Sequence, residues 1–286
     1  MTLRTDPIRL ATTGIYEGRV DEDAAVAFAL ATNDPNPRYL DGRAVHPLFT
    51  AALVGVAQGE AQTSSGAMSA IAGYSGTVHG QHDLYLWRPI LPDMRLRWAA
   101  STFNVRTRST GVVVVERILV TDGEGAPLSE HYWSNFYIGG TVAVDLGPDT
   151  ADHSFPHGAK DEPVGAGAVP VDRDQTFRFA GASGAHVGHA MDDEIARSEG
   201  YPGKILQGMC SFGLVCGPLV ALLADGDPHR LRRLAIRFSA PAFPHGQLEV
   251  KAYAAGVSAD GGRAFAFETE QAGTLVHTQG RVELRP

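Results

Sequence analysis

The sequence predicts an α+β protein built from two tandem repeats, each with a long antiparallel sheet wrapped around a central helix. Three observations predict this class. A block of sequence recurs at a constant spacing, an almost wholly apolar helical segment follows each copy, and strand-like segments follow each helix. With 286 residues and 44% hydrophobic side chains, the chain can bury a sizeable core.

The repeat is visible in two separated blocks. FALATNDPNPRYLD (Phe28 to Asp41) aligns without gaps on FAGASGAHVGHAMD (Phe179 to Asp192), at an offset of 151 residues. RPILPDMRL (Arg88 to Leu96) aligns on APAFPHGQL (Ala240 to Leu248) at an offset of 152. Chance matches would scatter, so the shared spacing indicates a tandem duplication.

Each repeat is predicted to contain one buried helix followed by four strands. The helical segments, His46 to Ala61 and Gln207 to Ala224, are apolar on nearly every side, as expected of an enclosed helix. The strand-like segments alternate apolar and polar residues and are separated by turns such as TDGEG and ADGG. They are HDLYLWRPI, RLRWAASTFNV, GVVVVERILVTD and HYWSNFYIGG, then RLRRLAIRFSAPAF, QLEVKAYAAGVS, RAFAFETEQA and TLVHTQGRVEL.

Domain boundaries follow from the repeat and from local composition. Residues 1–144 are predicted to form the first repeat and residues 173–286 the second. Residues 145–172 are rich in Pro, Gly and Asp, so they are predicted to be a surface linker, with His153 and His157 in contact with solvent.

Charge and hydropathy narrow the choice of partners. The net charge of −8 comes from 32 acidic and 24 basic residues scattered along the chain, so neither nucleic acid nor a membrane is an expected partner. No run of about 18 apolar residues occurs, and MTLRTDPIRLATTG lacks the apolar core of a signal peptide, which predicts a cytoplasmic location. Cys210 and Cys216 are predicted to be buried thiols.

Two segments carry a resemblance to a known family. HDLYLWRPILPDMRL, and the stretch from DQTFRFAGASG to DDEIARSEGYPGKILQGM, resemble the MaoC-like enoyl-thioester hydratases and dehydratases in their double hotdog form. The resemblance covers nearly the whole chain. It implies a small-molecule acyl substrate, linked to coenzyme A or a carrier protein or released, and water addition or removal beside the thioester carbonyl. No cofactor or metal is expected, and a homodimer is left open.

The second repeat has lost the polar residues of the family's hydratase motif. That motif reads Gly-Asp-x-Asn-Pro-aliphatic-His, in which Asp and His hold one water and exchange protons with the substrate. Gly184 keeps the glycine, whereas Ala185, Val187 and Ala190 stand where the motif has Asp, Asn and His. Methyl and isopropyl groups cannot transfer protons.

The first repeat has changed differently. Asp34 and Asn36 keep motif positions, and Tyr39 stands where the motif has His. Neither repeat therefore carries the motif's Asp/His pair.

His189, His186 and Asp34 are the catalytic candidates. The two histidines lie inside the altered loop, and a one-residue shift would bring His189 to the lost position, oriented by His186, Asp192 or Asp193. The alternative is that both histidines are exposed loop residues. Asp192 and Asp193 are interpreted first as acids that cap a helix, and Asp34, which precedes a proline, also favours a turn.

Five residues are predicted to contact the substrate. Gln207 and His46 directly precede the two apolar helices, where free N–H groups and the helix dipole favour an oxyanion. The resemblance makes the amides of Gly208 and Met209 the donors to the thioester carbonyl, with plain helix capping as the alternative. Tyr39 can donate a hydrogen bond to a substrate oxygen or pack in the core.

Other polar residues give weaker signals. His79 and His82 have no third ligand at metal spacing, so no metal site is predicted there. Arg88 and Lys204 are interpreted as surface charges, with contact to a carrier phosphate as the alternative.

These patterns predict hydration or dehydration of an enoyl, 3-hydroxyacyl or polyketide-type thioester, or of a related carbonyl compound, at a site without the usual Asp/His pair. Two alternatives stay open. One is a repurposed cyclase or isomerase of specialised metabolism, and the other is a non-catalytic acyl-binding subunit.

Overall fold

The computed structural model describes residues 12–64, 66–156, 158, 160 and 162–286. His157 and most of the N-terminal segment that lacks the apolar core of a signal peptide lie outside these residues. Within the described part, no helix is both long and apolar enough to cross a bilayer. The described residues form two compact units: unit 1 contains residues 12–19, 53–88 and 94–152, and unit 2 contains 20–52, 89–93 and 153–286.

Unit 1 contains a five-stranded antiparallel sheet. Its strands are β1 (Tyr16–Arg19), β2 (Gly76–Leu86), β3 (Arg95–Arg108), β4 (Gly111–Asp122) and β5 (Pro127–Ile138). They are arranged in the order β1-β3-β4-β5-β2. Helix α3 (Phe49–Ser64) enters this unit at Leu53, and the short helix α4 (Ala67–Ala70) follows it.

Unit 2 repeats the same strand path. Its strands are β6 (Pro163–Pro170), β7 (Leu231–Phe238), β8 (Gln247–Val257), β9 (Arg263–Gln271) and β10 (Thr274–Leu284), arranged in the order β7-β10-β9-β8-β6. In both units the first strand pairs with the third and the second with the fifth. This shared path confirms the predicted α+β class with a repeated antiparallel sheet.

The helices of unit 2 position the candidate site. They are α1 (Glu22–Ala31), α2 (Pro37–Leu40), α5 (Gln175–Ser183), α6 (Gly188–Met191), α7 (Asp193–Ser198) and α8 (Gly208–Leu223). Helix α8 packs against β6, β7 and β8 and is largely buried, as its apolar sequence predicts.

The predicted linker is partly structured. Strand β6 lies within residues 145–172 and pairs with β8. Gly165 and Gly167 let this strand lie close to α8, because a Cβ atom at either position would lie within 3.1 Å of a side chain of that helix. His153 is only 6% exposed, and its Nδ1 lies 2.6 Å from the carbonyl oxygen of Gln279. The prediction that His153 is solvated was therefore wrong, because composition does not show that a backbone carbonyl can satisfy the ring.

Residues 20–52, predicted to belong to the first repeat, pack within unit 2. The rings of Phe28 and Phe179, which occupy equivalent positions in the repeat, are 5.7 Å apart between centroids. Arg178 of α5 donates to the carbonyl oxygen of Leu30 at 3.2 Å. Segments from both repeats therefore form one core around α1 and α5.

One face of the unit 1 sheet carries a row of buried and half-buried side chains that includes a carboxyl group and an imidazole. Thr102, Glu116, Trp133 and His82 lie opposite one another on β3, β4, β5 and β2. Glu116 is fully buried, and neither of its carboxyl oxygens makes a hydrogen bond among the described residues. Burial raises the pKa of Glu116 to about 7, while the nearby Thr102 hydroxyl acts in the opposite direction.

His82 joins two further histidines on this face. Its Nδ1 lies 3.4 Å from Nε2 of His79, and its Nε2 lies 3.1 Å from Nδ1 of His131. Burial lowers the pKa of all three imidazoles, so they are neutral at pH 7. No group of described residues has the arrangement of a metal site.

We expect Glu116→Gln to remove a pH-dependent loss of stability. The pKa of Glu116 is higher in the folded protein than its ordinary 4.5, so the folded state binds the proton more tightly and stability falls as pH rises from about 4.5 to about 7. The full effect is about 3 kcal/mol. Urea unfolding at pH 5 and pH 8 measures it, with the exposed Glu124→Gln as control. An equal pH dependence in wild type and Glu116→Gln would contradict the buried, unpartnered carboxyl.

Candidate active site

Residues 33–36 form a tight turn that is held by hydrogen bonds from neighbouring segments. Asn33 ends α1 with φ of 52°, a left-handed conformation that Asn tolerates. Its side-chain Nδ2 donates to Oε1 of Gln175 at 3.0 Å, and its side-chain Oδ1 accepts from Arg178 at 2.9 Å. Asn36 then caps α2 by accepting the N–H of Arg38, with Pro37 at the first helical position.

Asp34 is buried with half of its carboxylate unpartnered. It is 5% exposed, and Oδ1 accepts the N–H of Asn36 at 3.1 Å, which is the turn predicted from the sequence. Oδ2 makes no hydrogen bond among the described residues. A buried carboxylate oxygen without a donor is costly.

His46 and Tyr39 lie beside this oxygen. Nε2 of His46 is 3.8 Å from Oδ2 of Asp34, too far for a hydrogen bond. Nδ1 of His46 accepts the N–H of Leu48 at 3.2 Å, so the neutral ring carries its proton on Nε2, facing Asp34. The Tyr39 ring is 5.5 Å from that of His46, and its hydroxyl is also buried without a partner among the described residues.

Two glycines of α8 allow this close approach. A Cβ atom at Gly217 would lie 3.0 Å from Oδ2 of Asp34, and one at Gly213 would lie 2.5 Å from Cγ2 of Thr32. The glycines are four residues apart and therefore lie on the same side of the helix. The turn at Asp34 therefore packs directly against the backbone of α8, because Gly213 and Gly217 have no side chains there.

A cavity of about 920 Å³ opens at Asp34. Its walls come from the Asp34 turn, the small residues of β6 and the second half of α8, which contains Pro218. Arg38 and Arg43 line it together with the acidic Asp225, and the two arginines pair with Asp227 at 3.6 Å and Asp41 at 2.6 Å. The volume lies within the range of about 300–1,000 Å³ typical of small-molecule sites.

Burial sets the protonation states in this cluster. It raises the pKa of Asp34 to about 6, partly offset by the N–H of Asn36. It lowers the pKa of His46 to about 3, partly offset by the Gly213 carbonyl, and raises the pKa of Tyr39 well above its ordinary value. Near neutral pH, Asp34 is therefore mostly ionised, while His46 and Tyr39 are neutral. A carboxylate with a pKa near the working pH is suited to proton transfer.

The second-repeat candidates lie elsewhere in unit 2. His186 is exposed, and His189 forms a contact of 2.7 Å between Nδ1 and Oε2 of Glu199 while its ring packs on Tyr201. Ala190 is fully buried. His189 and Glu199 thus form a partly exposed histidine–carboxylate pair beside this loop.

The acidic pair after this loop is structural. Asp192 caps α7 by accepting the N–H groups of Glu194 and Ile195, as predicted. Asp193 binds Nζ of Lys204 at 2.7 Å.

The start of α8 carries the other predicted contacts. The side-chain amide of Gln207 donates to the carbonyl oxygens of Thr176 and Ala185, and its Oε1 is buried without a partner among the described residues. The amides of Gly208 and Met209 likewise have no acceptor within the described chain. Amides without acceptors at a helix start are suited to binding an anion, so the substrate-contact role of Gly208 and Met209 stays a prediction.

The structure separates the predicted residues into two groups. Asp34, Tyr39 and His46 lie together at the middle of α8, whereas Gln207, Gly208 and Met209 lie at its start. Gly208 and Gly217 are nine residues apart, which is about 13 Å along a helix. The Gly208 amide and the Asp34 carboxylate therefore cannot act on the same few substrate atoms.

Sequence reasoning missed two features of unit 2. The first is the proximity of His46 to Asp34, since His46 lies outside the hydratase motif. The second is a buried pair one turn into α8, where Oγ of Ser211 lies 2.9 Å from Nε2 of His277. No spacing signal joins these last two residues, which are 66 positions apart and meet only through sheet packing.

Comparison with known proteins identifies one family. Residues 156–273 match the model of the MaoC like domain. The chain contains a MaoC-like domain. This domain covers β6 to β9 and includes α8, so the groove that receives Asp34 lies within it.

Relatives in sequence and solved structures with a similar fold match larger parts of the chain. A probable enoyl-CoA hydratase 2 from Dictyostelium discoideum is 22% identical over 178 residues, which cover 61% of this chain and 59% of that protein. A MaoC-like dehydratase from Phytophthora capsici superposes with a TM-score of 0.80 over 99% of both chains, at 18% identity. A conserved hypothetical protein from Mycobacterium tuberculosis, described as a double hotdog fold, superposes with a TM-score of 0.60 over 95% of both chains, at 12% identity. The double hotdog fold predicted from the sequence is thereby confirmed.

Proposed function

We propose that the protein hydrates a 2-enoyl thioester, or dehydrates the matching 3-hydroxyacyl thioester, with Asp34 as the proton-transferring group. The observation that carries this proposal is that Asp34 lines the 920 Å³ cavity and has a buried carboxylate oxygen, Oδ2, without a hydrogen-bond partner among the described residues. Its pKa of about 6 supplies a carboxylate that can both take and return a proton near neutral pH. The hydratase names of relatives support the reaction class.

In the hydration direction, Oδ2 of Asp34 takes a proton from water as the water oxygen bonds to the carbon two bonds from the thioester carbonyl. The double-bond electrons move towards the carbonyl, and Asp34 returns its proton to the carbon directly bonded to the thioester carbonyl. Nε2–H of His46 faces the same oxygen of Asp34, so a water oxygen near both groups would donate to Asp34 and accept from His46. Dehydration is the reverse.

Negative charge develops on the thioester carbonyl oxygen during the reaction, so a hydrogen-bond donor or a cation is needed within reach of a substrate bound at Asp34. The Gly208 and Met209 amides are about 13 Å away along α8. Arg38 and Arg43 line the cavity itself and are the cationic groups suited to this role. The proposed site is non-standard because the motif's Asp/His pair is missing from the second repeat, and polarisation by guanidinium groups rather than by a helix end is a further difference.

A non-catalytic acyl-binding role is the second candidate. Ala185 and Ala190 favour it, because they remove the motif's own acid–base pair from the MaoC-like domain. A cyclase or isomerase would use the same Asp34 carboxylate without adding water, so only the product distinguishes it from a hydratase.

Incubation of the purified protein with crotonyl-CoA and trans-2-decenoyl-CoA tests the proposal. We expect loss of the conjugated enoyl absorbance and formation of the 3-hydroxyacyl product, identified by its mass. Saturable binding of both thioesters without turnover would support the binding role, and a product of unchanged mass would support isomerisation. Either result would contradict the hydratase proposal.

The double variant His186→Ala/His189→Ala separates the two candidate sites. We expect it to keep kcat/KM within about threefold of wild type, because neither side chain lines the cavity at Asp34. A loss of about 100-fold or more would return the proton-transfer role to the second-repeat loop.

A further inference from the structure

Unit 1 contains a second cavity, which we call the aromatic pocket. It has a volume of about 220 Å³ and shares no lining residue with the cavity at Asp34. Its described lining residues are Asp83, Tyr85, Trp87, Phe103, Glu130, Tyr132, Asp149, Thr150 and Ala151. The pocket is smaller than the ~300 Å³ at which drug-sized ligand sites begin, so it fits a small group rather than a whole acyl chain.

The sheet register explains why these side chains converge. Asp83 lies opposite Tyr132 and Tyr85 lies opposite Glu130 on the paired strands β2 and β5. Alternate residues of a strand share one face, so all four project from the side opposite His82 and its histidine neighbours. The N–H of Trp87, just beyond β2, continues the pairing by donating to Leu128.

Aromatic rings form walls at right angles to one another. Tyr85 and Trp87 are nearly parallel, with centroids 5.8 Å apart and planes inclined by 14°. Tyr132 is inclined by 76° to Tyr85, and Phe103 by 82° to Tyr132. Rings in two orientations around one small space can present several faces to a single ligand group, which is how proteins bind cations through aromatic side chains.

The charge of the lining is negative. Asp83, Glu130 and Asp149 contribute carboxylates, and no basic residue occurs among the described lining residues. Arg117 and Arg106 pair with Glu130 and Asp149 but do not line the pocket. Asp83 is 2% exposed, so its charge acts in a region of reduced solvent screening.

We propose that the aromatic pocket binds an alkylated ammonium group. Its rings offer π faces, the buried carboxylate of Asp83 offers negative charge beside the two arginine-paired carboxylates, and its volume limits the occupant to a compact head group. A primary ammonium is more strongly hydrated and requires several directed hydrogen-bond acceptors, which ring faces do not supply. An alkylated ammonium loses less hydration and makes apolar contact with the rings at the same time.

Choline and its uncharged isostere 3,3-dimethyl-1-butanol test the proposal on the full chain. Titration calorimetry is expected to show saturable choline binding in the millimolar range, at least about tenfold tighter than binding of the isostere. Failure of choline to bind, or equal binding of the two compounds, would overturn the proposal.

Substitutions of Tyr132 locate the binding. Tyr132→Leu removes one ring and should weaken choline binding about tenfold, whereas Tyr132→Phe keeps the ring and should retain it. Circular dichroism and urea unfolding establish that both variants are folded. Asp83→Asn should weaken choline binding but not binding of the isostere, and Asp34→Asn should change neither. Equal choline affinity in Tyr132→Leu and Tyr132→Phe would place the cation elsewhere and overturn the assignment.

Discussion

Asp34→Asn is expected to lower kcat/KM for enoyl thioester hydration by a factor of about 100 to 10,000 at pH 7.5. Asn has nearly the same shape but cannot accept the water proton, so the loss should appear mainly in kcat. We expect the variant to be at least as stable as wild type at this pH. The pKa of Asp34 is raised to about 6 by burial, so the wild-type folded state loses stability as pH rises from about 4 to about 6.

Loss of activity with retained stability is the signature of a residue held for function. Asp23→Asn is the matched control, because Asp23 is an exposed acid in the first turn of α1 in the same unit and is predicted to keep full activity. Asp34→Asn retaining more than about one tenth of wild-type kcat/KM would contradict the assignment. An unfolded Asp34→Asn protein would instead contradict the statement that this carboxylate costs stability.

Gly213→Ala is expected to lower both stability and activity. The new Cβ would lie 2.5 Å from the buried Cγ2 of Thr32, so either α8 or the turn carrying Asp34 must shift. Overpacking of this kind costs about 1–3 kcal/mol. Displacement of the Asp34 turn by even a fraction of an ångström is expected to reduce kcat/KM about 100-fold.

The same substitution at a different helical glycine provides the control. A Cβ at Gly181 of α5 would meet no atom within 4 Å, so Gly181→Ala should stabilise the helix by about 0.5–1 kcal/mol and leave activity unchanged. Urea unfolding and the hydratase assay measure both variants. Gly213→Ala behaving like Gly181→Ala would show that the close approach between α8 and the Asp34 turn is not essential.

The fold was largely predictable because its signals are periodic and repeated. Alternation along eight strands, the two apolar helices and the constant offset near 151 are all local properties of the sequence. Strand β6 was not predicted, because its Pro- and Gly-rich composition is typical of a linker. Its small residues are needed because a Cβ at Gly165 would lie 2.5 Å from Leu222.

The candidate site was predictable only in part. The motif identified Asp34 and Tyr39, and the position before a buried helix identified His46. No sequence signal indicated that these three would share one cluster on α8, because that depends on residues 20–52 packing within unit 2. The assignment of His186 and His189 to catalysis remains a prediction, and their surface location favours the Asp34 cluster.

The pH dependence of kcat/KM for hydration, measured in wild type and in the His186→Ala/His189→Ala double variant, tests the central claim most directly. If Asp34 is the base, both proteins should lose activity as pH falls through about 6, the pKa that burial confers on this carboxyl. Suppose instead that kcat/KM falls near pH 6 in wild type but not in the double variant. Proton transfer would then be assigned to His186 and His189, which would contradict the role of Asp34 as the base.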